Sequence, residues 1–104
     1  AMAQLLEMFG YAVRTADSVA SALQAAEGER IDVVVSDIGL PDGSGLDLMR
    51  QLLARQPVRG IALSGFGMEE DLRKSREAGF VEHLTKPVDF AQLQQVLARV
   101  TAAV

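Results

Sequence analysis

The sequence predicts one α/β domain with a mainly parallel sheet and helices on both faces, and three observations lead there. Segments of strand character alternate with segments of helical periodicity along the chain. Two strand segments, IDVVVS at 31–36 and GIALS at 60–64, are short apolar runs of the kind buried on both sides of a parallel sheet. The composition is 49% hydrophobic but only 5% aromatic, so small apolar side chains dominate, which suits thin interlocking layers. Strands separated by helices require right-handed crossovers. A chain of 104 residues has material for one core and no room for a second domain.

Each element has a local reason. Residues 1–10 carry Leu5, Leu6, Met8 and Phe9 in a helical pattern that stops at Gly10, a natural residue past a helix end. Residues 11–15 hold aromatic and β-branched side chains and read as a strand. Asp17 or Ser18 can cap the next helix, whose inner face is Val19, Ala22, Leu23 and Ala26 and which Gly28 ends. The buried strand 31–36 runs into Asp37, followed by a loop dense in turn formers, Gly39-Leu40-Pro41-Asp42-Gly43-Ser44-Gly45. Leu46, Met49, Leu52 and Leu53 then recur at helical spacing to about Arg55. After the strand 60–64, Gly65-Phe66-Gly67 opens a helix with Glu69, Glu70 and Asp71 in its first turn, where negative charge favours the helix dipole. Gly79 closes that helix and residues 80–84 make a further strand. Asp89 with Gln92 resembles a capping box for the last helix, with Phe90, Leu93, Val96, Leu97 and Val100 on its inner face.

Composition also excludes functions. Ten basic residues scattered among fourteen acidic ones, for a net charge of -4, do not form the concentrated positive face that holds nucleic acid by its phosphates. With no cysteine there are no disulfides, thiolate metal sites or cysteine nucleophiles. No apolar stretch approaches the roughly 18 residues of a membrane span, and the start lacks a signal-peptide layout. The expected setting is soluble and cytoplasmic.

In open parallel sheets function gathers at the carboxyl ends of the strands. Three polar residues sit there: Asp37, Ser64 and Lys86. Singly, each has a bland reading, as a loop starter, a strand-end hydroxyl and a surface lysine. Together they offer a carboxylate nucleophile toward phosphorus, a hydroxyl donor and a mobile ammonium, the parts that phosphoryl transfer asks for. The Gly- and Pro-rich loop after Asp37 leaves backbone free to approach a ligand.

The segments VVVSDIGLPDGSGLDLM, IALSGFG and HLTKPVD, in that order and spacing, resemble the signatures of CheY-like receiver domains of response regulators and hybrid sensor kinases, over residues 1–100 or so. The resemblance implies a flavodoxin-like, doubly wound parallel sheet with strand order 2-1-3-4-5, an order the family is a stock example of. It implies that Asp37 is the phosphoacceptor in a two-component phosphorelay, supplied by a phosphohistidine on a histidine kinase or phosphotransfer domain. Lys86 would contact the phosphoryl group and Ser64 would swing toward it. Asp37 and the backbone carbonyl of Gly39 would be ligands of Mg²⁺, and Pro87 would follow a cis peptide. Such a domain assists its own phosphotransfer and dephosphorylation without being a stand-alone enzyme. His-Leu-Thr-Lys-Pro resembles receivers joined to hybrid histidine kinases of bacteria.

Two departures stand out. Receivers begin with a central strand ending in an acidic pair that helps bind Mg²⁺, and no such segment precedes Ala1 in this sequence. Residues 1–104 therefore read as a single receiver domain truncated at its start, with weakened or lost Mg²⁺ binding and a gap that a second copy could fill by strand exchange. His83 stands where many receivers carry a mobile Tyr or Phe, which points to an exposed or switch-related role rather than metal binding. The main alternative is a degenerate receiver that serves as an interaction or dimerisation module without phosphorylation. A phosphatase of the haloacid dehalogenase type would need a second aspartate where this chain has Gly39. A flavin-binding domain would need a phosphate loop after the first strand.

Overall fold

The structure, a computed structural model, describes residues 2–40, 42–65 and 69–102. The elements run α1 (Met2–Met8), α2 (Val19–Ala26), β1 (Val33–Asp37), β2 (Gly39–Leu40), β3 (Gly43–Ser44), α3 (Gly45–Arg55), β4 (Arg59–Ser64), α4 (Glu69–Ala78), β5 (Phe80–Thr85) and α5 (Phe90–Ala102). Strands β1, β4 and β5 pair in parallel in that order. The register sets Asp37 opposite Leu63 and Ser64 opposite Thr85, so all three strands end on one edge. It slips once, beside Gly60, where an added Cβ would run into the Met49 sulfur and the Phe80 ring. The glycine lets strand, helix and aromatic close on one another.

Both faces of the sheet are covered at its middle strand, β4, whereas β1 buries only Ser36 and leaves Val35 exposed, short of the burial on both sides that its apolar run predicts. Ile61 and Ala62 are adjacent on β4 and fully buried, yet point to opposite sides, as the two-residue period of a strand requires. Ala62 lies with Leu48, Met49 and Leu52 of α3, Ala78 of α4 and Phe80, and α2 lays Val19, Ala22, Leu23 and Ala26 against them. Ile61 lies with Leu84 and with Leu93, Val96, Leu97 and Val100 of α5, against which Leu6 and Tyr11 pack. The rings of Phe9 and Phe90, 5.3 Å apart, tie the end of α1 to the start of α5. Gly10, Gly28 and Gly79 all take positive φ just past helix ends, as their positions in the sequence predict.

Caps set the helix starts. Ser18, rather than Asp17, is the N-cap of α2, in a reciprocal box with Ser21. Ser44 caps α3 by accepting from the Asp47 amide at 3.1 Å, and Asp89 accepts from the Gln92 amide at 2.6 Å ahead of α5. Pro41, Phe66 and Gly67 lie outside the described residues, as do the carboxylates of Glu69, Glu70 and Asp71.

Two expectations are corrected. Residues 11–15 form no strand. Tyr11 instead donates its amide back to the Leu6 carbonyl at 3.2 Å and sinks its side chain into the α5 side of the core. A β-ladder needs a neighbour, and no described strand lies alongside. The loop after Asp37, in contrast, contains regular structure: β2 and β3 pair antiparallel, Gly39 opposite Ser44 and Leu40 opposite Gly43.

Candidate functional site at the carboxyl edge of the sheet

Asp37 ends β1 and Lys86 follows β5, with β4 between them. Two strand spacings amount to about 10 Å. The long lysine side chain arches over that distance, and its Nζ lies 2.5 Å from Asp37 Oδ1. That oxygen is shut off from solvent and engages no other donor. The aspartate side chain as a whole is 42% exposed, so the exposure lies on its other atoms. One carboxylate oxygen is thus neutralised and the rest of the group is open to an incoming reactant.

The backbone below the carboxylate is fixed tightly. The Asp37 carbonyl accepts the Ser36 hydroxyl at 2.8 Å. It is also pressed by Gly45, where any Cβ would collide with that same carbonyl oxygen. The Ile38 amide continues the ladder to the Leu63 carbonyl at 3.1 Å, and the Gly45 amide returns to the Ile38 carbonyl at 2.6 Å. Gly39, exposed, starts the hairpin that leaves this anchored base.

Ser64 is at the same edge, half-buried, and its Oγ lies 3.0 Å from His83 Nε2. The structure therefore brings Asp37 and Lys86 into contact and sets Ser64 against His83, the residue singled out with it in the sequence. The Lys86-Pro87 peptide is cis, as expected.

Among the described residues no three His, Cys, Asp or Glu side chains gather to hold a metal. What the edge offers a cation is the exposed part of the Asp37 carboxylate, and Gly39, whose carbonyl is the second ligand expected from the sequence, follows two residues later in β2. Mg²⁺ commonly binds through one or two carboxylates, waters and phosphate oxygens rather than a full protein cage. The donors present fit that manner of binding.

Sequence reasoning missed one further residue. Asp42, in the turn between β2 and β3, accepts the amides of Val19 at 2.8 Å and Ala20 at 3.1 Å. These two bonds hold its carboxyl below the usual carboxylate range. Its partners lie 23 and 22 positions back along the chain, beyond the reach of any local pattern. The one available signal was that Ser18 alone cannot satisfy every free amide of a helix start.

Comparison with known proteins adds a second line. Residues 1–98 match the family model of the response regulator receiver domain. Transcriptional regulatory protein KdpE of Mycobacterium tuberculosis is 38% identical over 99 residues, 95% of this chain and 42% of that protein. The chain thus spans less than half the length of that relative. A CheY-like receiver domain from Methylobacillus flagellatus aligns with a TM-score of 0.80 at 36% identity, over 94% of this chain and 84% of the other. A response regulator from Burkholderia pseudomallei, solved with a phosphorylated aspartic acid, a calcium ion and citrate, aligns with a TM-score of 0.84 at 30% identity, over 98% and 63%. The flavodoxin-like parallel fold expected from the sequence is borne out by these likenesses.

Proposed function

The chain belongs to the response regulator receiver domains, the phosphoacceptors of two-component signalling, and on that premise we propose that Asp37 takes the phosphoryl group. The donor is a phosphohistidine on a histidine kinase or phosphotransfer domain. The contact between Lys86 and Asp37 at the strand ends is the observation that supports this most directly. An ammonium already seated on the acceptor carboxylate has only to shift onto a phosphoryl oxygen as charge arrives there.

With Oδ1 engaged by Lys86, the other carboxylate oxygen is the one free to attack. It forms the new P–O bond as the P–N bond of the phosphohistidine breaks, and the electron pair leaves with the imidazole nitrogen, which solvent protonates. The hydroxyl of Ser64 then turns from His83 to donate to the phosphoryl group, and His83 reports that change on β5. Asp37 and the Gly39 carbonyl would hold Mg²⁺, which when bound would neutralise charge on the phosphoryl oxygens.

The reading extends to the setting. A bacterial cytoplasm and a hybrid histidine kinase as the attached module follow from the resemblance of HLTKP. Among the described residues no helix is long and apolar enough to cross a membrane. A net charge of -4 argues against direct contact with nucleic acid. For the 104-residue chain by itself we add pairing with a second copy along β1.

The test is intact-mass measurement after incubation of the full-length protein with acetyl phosphate and Mg²⁺. One added phosphoryl mass is expected in the wild type and none in Asp37→Asn. An unlabelled wild type, or labelling that survives the substitution, removes Asp37 as acceptor.

A further inference from the structure

Helix α2 starts with four amides that no preceding turn can satisfy. Ser21 Oγ accepts from Ser18 at 3.1 Å and Ser18 Oγ accepts from Ser21 at 3.0 Å. That leaves Val19 and Ala20, and each donates to its own oxygen of Asp42, Val19 to Oδ1 and Ala20 to Oδ2. A carboxylate from the β2–β3 hairpin thus completes the start of a distant helix.

The consequence for the acceptor site comes from how the hairpin is held. Its base is pinned by the Ile38 and Gly45 amides to β4 and to its own strand end. Its tip is held by Asp42, and Gly43 lies beside Val19, where a Cβ would make ordinary van der Waals contact with Val19 Cγ2 at 3.4 Å. Gly39, whose carbonyl is the second oxygen donor beside Asp37, lies between the pinned base and the clamped tip. Without the clamp, that carbonyl would be held only from the base and by two strands of two residues each.

We propose that Asp42 is a positioning residue for the acceptor site, clamping the hairpin onto α2 so that the Gly39 carbonyl and the Asp37 carboxylate stand ready together for a divalent cation. The inference rests on Asp37 being the phosphoacceptor and adds a residue that touches neither phosphorus nor metal. It differs from ordinary helix capping in a testable way. Ser18 serves the same helix end through the Ser21 amide, whereas the hairpin bonds go to Val19 and Ala20, so Ser18→Ala removes a cap of α2 and leaves the Asp42 bonds in place.

The experiment is a Mg²⁺ titration of the unphosphorylated full-length protein, read by calorimetry and by the amide resonance of Gly39. Wild type, Asp42→Ala, Asp42→Asn and Ser18→Ala are compared below the melting temperature of each. Asp42→Ala is expected to weaken Mg²⁺ about tenfold, the scale on which residues behind metal ligands act. Ser18→Ala is expected to leave Mg²⁺ affinity unchanged even where it lowers the melting temperature. Should Asp42→Ala fail to fold, Asp42→Asn, which keeps one acceptor oxygen, carries the comparison with an intermediate loss. Unchanged affinity in the Asp42 variants, an equal loss in Ser18→Ala, or a wild type that binds no Mg²⁺ overturns the clamp. Acetyl phosphate labelling of the same wild type separates the two levels: labelling with unchanged Mg²⁺ affinity in the variants defeats the clamp alone, and no labelling defeats the acceptor reading.

Discussion

Asp37 Oδ1 is screened from water and has the Lys86 ammonium as its contact. Both side chains are about half exposed, and ion pairs that open contribute only about 0–1 kcal/mol to stability. The pair therefore matters for where it sits rather than for what it adds to folding. Asp42 is the opposite case, a carboxylate whose business is structural geometry. Its folded-state pKa is depressed, first by the Val19 amide and then by the Ala20 amide. A depressed acid contributes stability above its unfolded value and loses it as pH falls through the folded one. The contribution should thus be complete above about pH 4 and fade below it. Protonated Asp42 resembles asparagine in keeping a single good acceptor. Urea melts of wild type and Asp42→Asn should accordingly differ near pH 7 and draw together as pH falls below about 4. A gap that stays constant over that range would mean the charge does not hold the hairpin. Asp37, Ser64 and Lys86 were legible in the sequence because each follows a short apolar run, and parallel topology carries such ends to one edge. Asp42 was not, because hydrogen bonds spanning 22 and 23 positions leave no mark on the residues next to them.

The helices differ sharply in what secures them. Helix α3 buries Gly45, Leu48, Met49 and Leu52, whereas α2 has no fully buried residue and depends on its caps. Isolated helices as short as α2 are marginal in water, so its order is borrowed from Ser18, Ser21 and Asp42. Amides of α2 are expected to exchange with deuterium well before the inner-face amides of α3 and α5, and Asp42→Ala should speed α2 exchange further while leaving α5 unchanged. Protection of α2 equal to that of α3 would show that its half-buried apolar face suffices. The same contrast explains what was readable at this scale. Helix periodicity, glycine stops and the buried strand at 60–64 are properties of adjacent residues and were legible, whereas the run at 31–36 forms a strand that is only partly buried, because burial depends on what lies beside it. Residues 11–15 have strand chemistry, but a strand exists only in a pair, and the pairing is decided elsewhere in space. The β2–β3 hairpin was missed for the complementary reason: turn formers hide strands of two residues.

At the scale of the molecule, β1 and β5 are both edge strands with no described strand on their outer side, but β5 carries a register shift and the charged Glu82 within it, whereas β1 pairs without a shift. An unpaired edge is a row of donors and acceptors that water satisfies only loosely, and it templates association unless charge, a bulge or a covering element blocks it. β1 reads VVVSD, regular and without a bulge, and Val35 is 36% exposed. Two copies related by a two-fold axis would set their β1 edges antiparallel, each satisfying the other, in an interface that closes at two. The charge of -4 on each copy opposes this weakly and is screened at physiological salt. Multi-angle light scattering of the 104-residue chain is therefore expected to show a dimer whose share rises with concentration and salt. Val35→Lys should shift it toward monomer, since a lysine on an edge strand resists pairing. A monomer at every concentration would mean that this edge is already satisfied within one chain, and a dimer indifferent to Val35→Lys would put the interface on another face, with the exposed Met8 and Phe9 of the α1 end as the next surface to substitute.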